Sequence, residues 1–213
     1  CGGIALNVVA DKASAVLNTP DGEVAVSAQG ISCHASRPQG SKNAIRELAA
    51  VLLESYPLSE KTKQAMTFVR DMLSDWYGEH LGVAFEDEPS GKLTCISGIA
   101  KLEGGKLRLC LDIRYPVTHS GKLITEGLER CAKAAGAGFE VHEDDAPSFI
   151  PKDNPAIERL TRIYAEVTGE RREAYVMGGG TYARHLPNAV AFGMDFPDEH
   201  IPCPDGHGDC HEP

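Results

Sequence analysis

Apolar residues recur along this chain with two different periods, and the changes between them divide it into elements. Residues 13–17 and 23–29 have strand character around the turn residues Thr19-Pro20-Asp21-Gly22, which predicts a hairpin. Over residues 43–55 the period lengthens and places Ala44, Leu48, Val51 and Leu52 on one helical face. A second helix is predicted over residues 59–81, where Ala65, Phe68, Val69, Met72, Leu73 and Trp76 recur at helical spacing as core positions, bounded by Pro57, Gly78 and Gly82. Residues 93–102 and 106–115 then flank Gly104-Gly105, a two-residue hairpin signal, with Leu107, Leu109, Leu111 and Ile113 alternating against polar neighbours. A helix over 121–135 and a strand over 138–142 follow. The repeated order strand, strand, helix predicts an α+β layer, a largely antiparallel sheet with helices on one face.

The last third changes character. Pro147, Pro151 and Pro155 mark a domain crossing, after which residues 156–168 form an amphipathic helix ended by Gly169. A short strand over 174–177, a helix starting at Thr181 and a buried strand over 189–193 are expected next, an α/β piece appended to the α+β layer. No internal repeat or low-complexity segment interrupts this order.

Composition narrows the class of partner. The 213 residues are 42% apolar, enough for a real core, and no apolar run approaches the ~20 residues that span a bilayer. The opening residues lack the basic start of a signal peptide, so no membrane or export partner is expected. Lys and Arg total 21 against 31 Asp and Glu; the net charge of -10 opposes a polyphosphate backbone and argues against nucleic acid. Seven cysteines, odd in number and without a Cys-x-x-Cys pair, suit reduced thiols in a cytoplasmic protein.

Five places could carry chemistry. Asn7 follows Gly2-Gly3 and precedes Val8-Val9-Ala10-Asp11, where an asparagine would ordinarily cap a turn. His34 lies in Cys33-His34-Ala35-Ser36-Arg37-Pro38, running on to Asn43-Ala44; an isolated loop histidine is ordinarily a surface residue. Arg114, in Leu111-Asp112-Ile113-Arg114-Tyr115-Pro116, is either a solvated edge-strand arginine or a two-point carboxylate clamp. Gly178-Gly179-Gly180-Thr181 is a tight turn or a backbone anion cradle, and no Gly-Lys-Ser/Thr follows to make it a phosphate loop. His211 sits in Asp209-Cys210-His211-Glu212-Pro213; with Cys203, His207 and Cys210 it could form a local zinc knot, although that spacing is not a standard structural-zinc one.

As a set, these motifs resemble the substrate-facing half of a zinc-dependent amidohydrolase, in the metallopeptidase family that contains the PepV-type dipeptidases, carnosinases, aminoacylases and succinyl-diaminopimelate desuccinylase. The resemblance covers nearly the whole chain and implies a division into a lead-in segment from the catalytic domain (1–10), an α+β lid that caps the substrate (11–147), and the C-terminal part of an α/β zinc-exopeptidase catalytic domain (148–213). It implies that His34 donates a hydrogen bond to the oxyanion formed at the scissile carbonyl. Asn7, Asn43, Arg114, Gly179, Gly180 and Thr181 are implied to bind substrate, and His211 to ligate zinc. Two zinc ions, with manganese as a substitute, a dipeptide or related small amide as substrate, and a monomer or homodimer are the implied cofactors and partners. The long stretch between the first helix and the Gly104-Gly105 hairpin points to the PepV-like dipeptidases within the family. One departure is visible, since the usual glycine two positions before Asn43 is Ser41, with Gly40 just before it. Most family metal ligands and the Glu base have no counterpart in these residues, so the chain by itself is expected to be hydrolytically silent. The alternative is a non-catalytic binding or dimerisation module that has kept the lid fold.

Overall fold

The computed structural model describes residues 1–193 and divides into two compact units, Cys1–Ala146 and the chain from Pro147 onward. In the first unit, β1 (Lys12–Thr19) pairs antiparallel with β2 (Gly22–Gln29), and β5 (Thr94–Glu103) with β6 (Lys106–Arg114). A small hairpin, β3 (Glu86–Asp87) with β4 (Gly91–Lys92), lies between them in sequence. The tight turn from β5 to β6 uses Gly104 and Gly105 at φ 56° and 75°, the doubly positive pair that matches strand twist and that side chains disfavour.

The two long hairpins are one sheet, joined by the first residues of the chain. Gly2 exchanges backbone hydrogen bonds with Ala100, both 2.8 Å, while on its other side Gly3 N donates to Lys12 O and Ser14 N to Cys1 O. Cys1–Gly3 is therefore a splice between β1 and β5, giving the order β2, β1, splice, β5, β6. A Cβ at Gly2 would come within 2.7 Å of Ile45 Cγ1, so glycine lets the first helix press onto the joint.

Among the described residues there are four α-helices: α1 (Ala44–Ser55), α2 (Glu60–Met72), α3 (Gly121–Ala134) and, in the second unit, α4 (Pro155–Thr168). Side-chain caps start all four: Asn43 Oδ1, Ser59 Oγ, Ser120 Oγ and Asn154 Oδ1 each accept a first-turn backbone N–H. One apolar core collects Leu48 and Leu52 of α1, Val69 and Met72 of α2, and Ile124 and Leu128 of α3 against Val26, Cys95 and Ala100 of the sheet. The chain is thus a mixed α+β structure with antiparallel strand pairs, as expected. Among the described residues no helix is long and apolar enough to cross a membrane.

Several segments differ from expectation. The helix predicted over 59–81 stops at Met72, because Asp75 Oδ1 accepts the N–H groups of Tyr77 (2.6 Å) and Glu79 (3.2 Å) and starts a separate 3₁₀ turn, Glu79–Leu81, between two glycines of positive φ. Trp76 consequently leaves the helix and offers its carbonyl to Cys95 N. Residues 138–142 form no strand; they follow Gly136, at φ 67°, and leave Phe139 and Val141 exposed. Residues 174–177 and 189–193 are likewise not strands, and Phe192 is exposed where a buried strand was expected. A run of apolar residues is a strand only where another backbone edge completes its hydrogen bonds. The helix expected from Thr181 is one 3₁₀ turn, Tyr182–His185.

Candidate functional site

His34 is built into its position from three sides. Ile31 and Lys42 pair across the base of its loop (Ile31 N to Lys42 O 2.8 Å, Lys42 N to Ile31 O 2.9 Å), which closes residues 32–41 into a compact surface loop. Gly30 permits that closure, since a Cβ there would stand 2.1 Å from Lys42 O. Along its length the loop bridges to the N-terminal segment, with Val9 N donating to Cys33 O at 2.9 Å and Ala35 N to Asn7 O at 2.8 Å. Beneath it Ala35, wholly buried, packs with Val9 and Ile96 in a second apolar cluster separate from the main core. The departure at Ser41 is absorbed locally: Gly40 takes the left-handed φ of 83°, and Ser41 N bonds to Pro38 O.

These contacts bring Asn7 and His34 together. Asn7 Nδ2 and His34 Nε2 stand 3.4 Å apart, both half-buried. The segment that carries Asn7 rests on the β5 bulge between Ser97 and Ile99, where a Cβ on Gly98 would fall within 2.1 Å of Ala5 O and 2.8 Å of Val8 O. A side chain at position 98 would push this segment off the sheet.

Asn43 serves the scaffold with both ends of its amide. Its Oδ1 caps α1 at Ile45 N, and its Nδ2 donates to Ser97 O at 2.8 Å, tying the helix start to the bulge. A cavity of about 310 Å³ opens behind it, lined by Val9, Asn43, Arg46, Asp75, Trp76 and Ile96 among others. Arg46 Nε and Asp75 Oδ2 are buried without a hydrogen-bond partner, and a polar space of that size suits ordered water.

Arg114 reaches the same side of the sheet as the His34 loop. Cross-strand partners share a face: Cys95 and Ile113 point into the helix-covered core, whereas Thr94 with Arg114 and Ile96 with Asp112 point to the other face, where Ile96 supports Ala35. Asp112 grips the guanidinium at two points, accepting from Nε at 3.0 Å and from Nη2 at 3.2 Å. The motif around Arg114 assigns that carboxylate no part, yet an Asp two residues before an Arg on a strand shares its face. The turn beyond Arg114 is anchored as well, because Asp87 accepts hydrogen bonds from the N–H and hydroxyl of both Ser90 and Thr118. Desolvation works against ionisation of Asp87, but these hydrogen bonds outweigh it and hold the carboxyl well below the usual range. Cys95 is no nucleophile: burial, with Asp75 and Asp112 adding to it, pushes its thiol up to about 12.

Gly179, Gly180 and Thr181 belong to the second unit, where Thr181 Oγ1 accepts Ala183 N and a Cβ on Gly180 would crowd Arg184. A single four-residue turn follows them, too short for the helix N-terminus that an anion cradle would use. His211, and with it Cys203, His207 and Cys210, lies outside the described residues.

Comparison with known proteins bears on what this arrangement serves. The chain is 32% identical over 224 residues to "Putative dipeptidase YtjP" of Bacillus subtilis (strain 168), an overlap of 92% of this chain and 47% of that protein. It is 30% identical over 180 residues to "Beta-Ala-Xaa dipeptidase" of Lactobacillus delbrueckii subsp. lactis, covering 83% of this chain and 37% of that one. Its relatives carry the names of dipeptidases. The chain spans about half the length of the first of them and less of the second. No family model matches it. Among the described residues no three His, Cys, Asp or Glu side chains converge as metal ligands, so this part of the chain does not by itself fit a zinc centre.

Proposed function

We propose that the chain is the substrate-capping lid, with the C-terminal part of the catalytic domain, of a PepV-like zinc dipeptidase. The observation that carries this reading is the Asn7–His34 pair, held 3.4 Å apart on a doubly anchored loop in a chain similar over most of its length to proteins named dipeptidases. On this reading residues 11–147 are the lid and residues 148–213 the catalytic part. His34 donates a hydrogen bond to the oxyanion that forms as the scissile carbonyl becomes tetrahedral, and Asn7 flanks it. Arg114, its fork aligned by Asp112, receives the substrate's terminal carboxylate, and the backbone at Gly179, Gly180 and Thr181 meets the rest of the dipeptide. His211 and residues outside those described would hold the two zinc ions, or manganese in their place. The names of the relatives give the rival reading, a non-catalytic module, no support.

The test is His34→Ala in the intact protein. An oxyanion donor acts chiefly in the transition state, so kcat for dipeptides should fall about 100-fold or more while KM changes little. An unchanged kcat would return His34 to an ordinary surface histidine.

A further inference from the structure

A neutral imidazole has one N–H, on Nδ1 or on Nε2, and only the nitrogen that bears it can donate. Which nitrogen bears the proton is normally inferred from the partners around the ring. At His34 one partner is unambiguous. The backbone N–H of Ser36 can only donate, and it is directed at His34 Nδ1 at 3.3 Å. A proton on Nδ1 would collide with that hydrogen, so Nδ1 is an acceptor. The hydroxyl of Ser36, 2.7 Å from the same nitrogen, then turns its own hydrogen toward it. The ring proton is left on Nε2, the edge that faces Asn7.

The backbone fixes this geometry on both sides of the serine. Ala35 N is tied to Asn7 O and Arg37 N to His34 O at 3.0 Å, a tight turn that aims the Ser36 N–H back at the ring it follows. An asparagine amide exchanges its oxygen and nitrogen by a half-turn, so Asn7 can present its oxygen to the Nε2 proton at the observed 3.4 Å separation.

We propose that Ser36 is a positioning residue that locks His34 in the Nε2–H tautomer and so keeps a hydrogen on the edge toward Asn7. The lock stands on both Ser36 donors, the backbone N–H at 3.3 Å and the closer hydroxyl at 2.7 Å, so loss of the hydroxyl weakens it; its value to turnover rests on the oxyanion-donor reading of His34. Together, Asn7 holds that hydrogen while substrate is absent and yields it to the developing oxyanion.

The experiment records two-bond ¹H–¹⁵N correlations of the ring in the ¹⁵N-labelled 213-residue chain, at a pH above the ring's titration, with His34→Ala assigning the signals. Wild type should show unprotonated Nδ1 and protonated Nε2. Ser36→Ala should introduce the second tautomer, and Ser36→Thr, which keeps the hydroxyl, should restore one. A protonated Nδ1 in wild type, or a Ser36→Ala pattern identical to wild type, overturns the lock. In the intact protein Ser36→Ala should lower kcat about tenfold at unchanged KM, and Ser36→Thr should recover it. If the tautomers mix but kcat holds, the lock stands and the oxyanion reading of His34 falls.

Discussion

Helices α1 and α4 invite direct comparison, because local sequence specifies both equally well and they end in different surroundings. Each starts on an asparagine cap, at Asn43 or Asn154, and each is amphipathic. In the first unit α1 buries Ala44, Ile45, Leu48, Ala49 and Leu52. In the second, α4 buries only Ile157 and leaves Ile163 and Val167 exposed to 42% and 79%. The lesson is that capping and periodicity determine that a helix forms, whereas burial depends on what the rest of the chain places against it. Tyr175, Met177, Tyr182, Leu186 and Phe192 repeat the contrast, for these large apolar side chains of the second unit are also exposed.

The comparison breaks or sharpens at three residues. Leu48→Ala removes a buried side chain from the centre of the first core and should cost about 2–5 kcal/mol by urea denaturation. A loss below about 1 kcal/mol would mean that the first unit is no better packed than the second. Tyr115 tests the end of the first unit, where its hydroxyl donates to Asp144 Oδ1 at 2.8 Å. Burial, then the Asp144 hydrogen bond and the charges of Asp144 and Asp145, push its phenol up to about 12. An unfolded tyrosine titrates near pH 10, so the folded state holds its proton more tightly. This contribution is fully present below about pH 10 and is lost as the pH rises toward about 12. Tyr115→Phe should lower stability at neutral pH by about 0.5–1.5 kcal/mol and flatten the alkaline decline relative to wild type. Parallel declines in the two proteins would show that the phenol is not perturbed. The smallest effect is expected at Val167→Ala, within about 0.5 kcal/mol of wild type in the 213-residue chain. A cost above about 1 kcal/mol would reveal a covering surface over α4.

The elements legible in the sequence were those whose period and punctuation agree. β1 and β2 flank a Pro-Asp-Gly turn, β5 and β6 flank Gly104-Gly105, and α4 runs from a proline to Gly169, which closes it at φ 77°. Period alone misled where a polar group competed with it, as when the Asp75 carboxylate ended α2 before Trp76. It misled again where a strand needed a neighbour, as over residues 138–142. Of the candidate site, the structure brings Asn7 and His34 to 3.4 Å, and the sequence does not reveal how they are held. Asn43 read as a ligand contact, while its amide joins α1 to the bulge. Ser36 stands beside His34 in the sequence, but only the turn shows its N–H pointing backward at the ring. Nothing in the pattern of residues 1–3 announces that they splice two hairpins into one sheet.

That splice sets the order in which the molecule can assemble. β1–β2 and β5–β6 each close across a two-residue turn, an event of roughly microseconds. Gly2 and Ala100 lie nearly a hundred residues apart, and such distant pairings are delayed by the entropy of closing the intervening chain. The ground under His34 straddles this joint, with Val9 on the N-terminal side and Ile96 on β5. Neither hairpin carries the site alone; the surface that orients the histidine comes into being only when the two halves of the sheet meet.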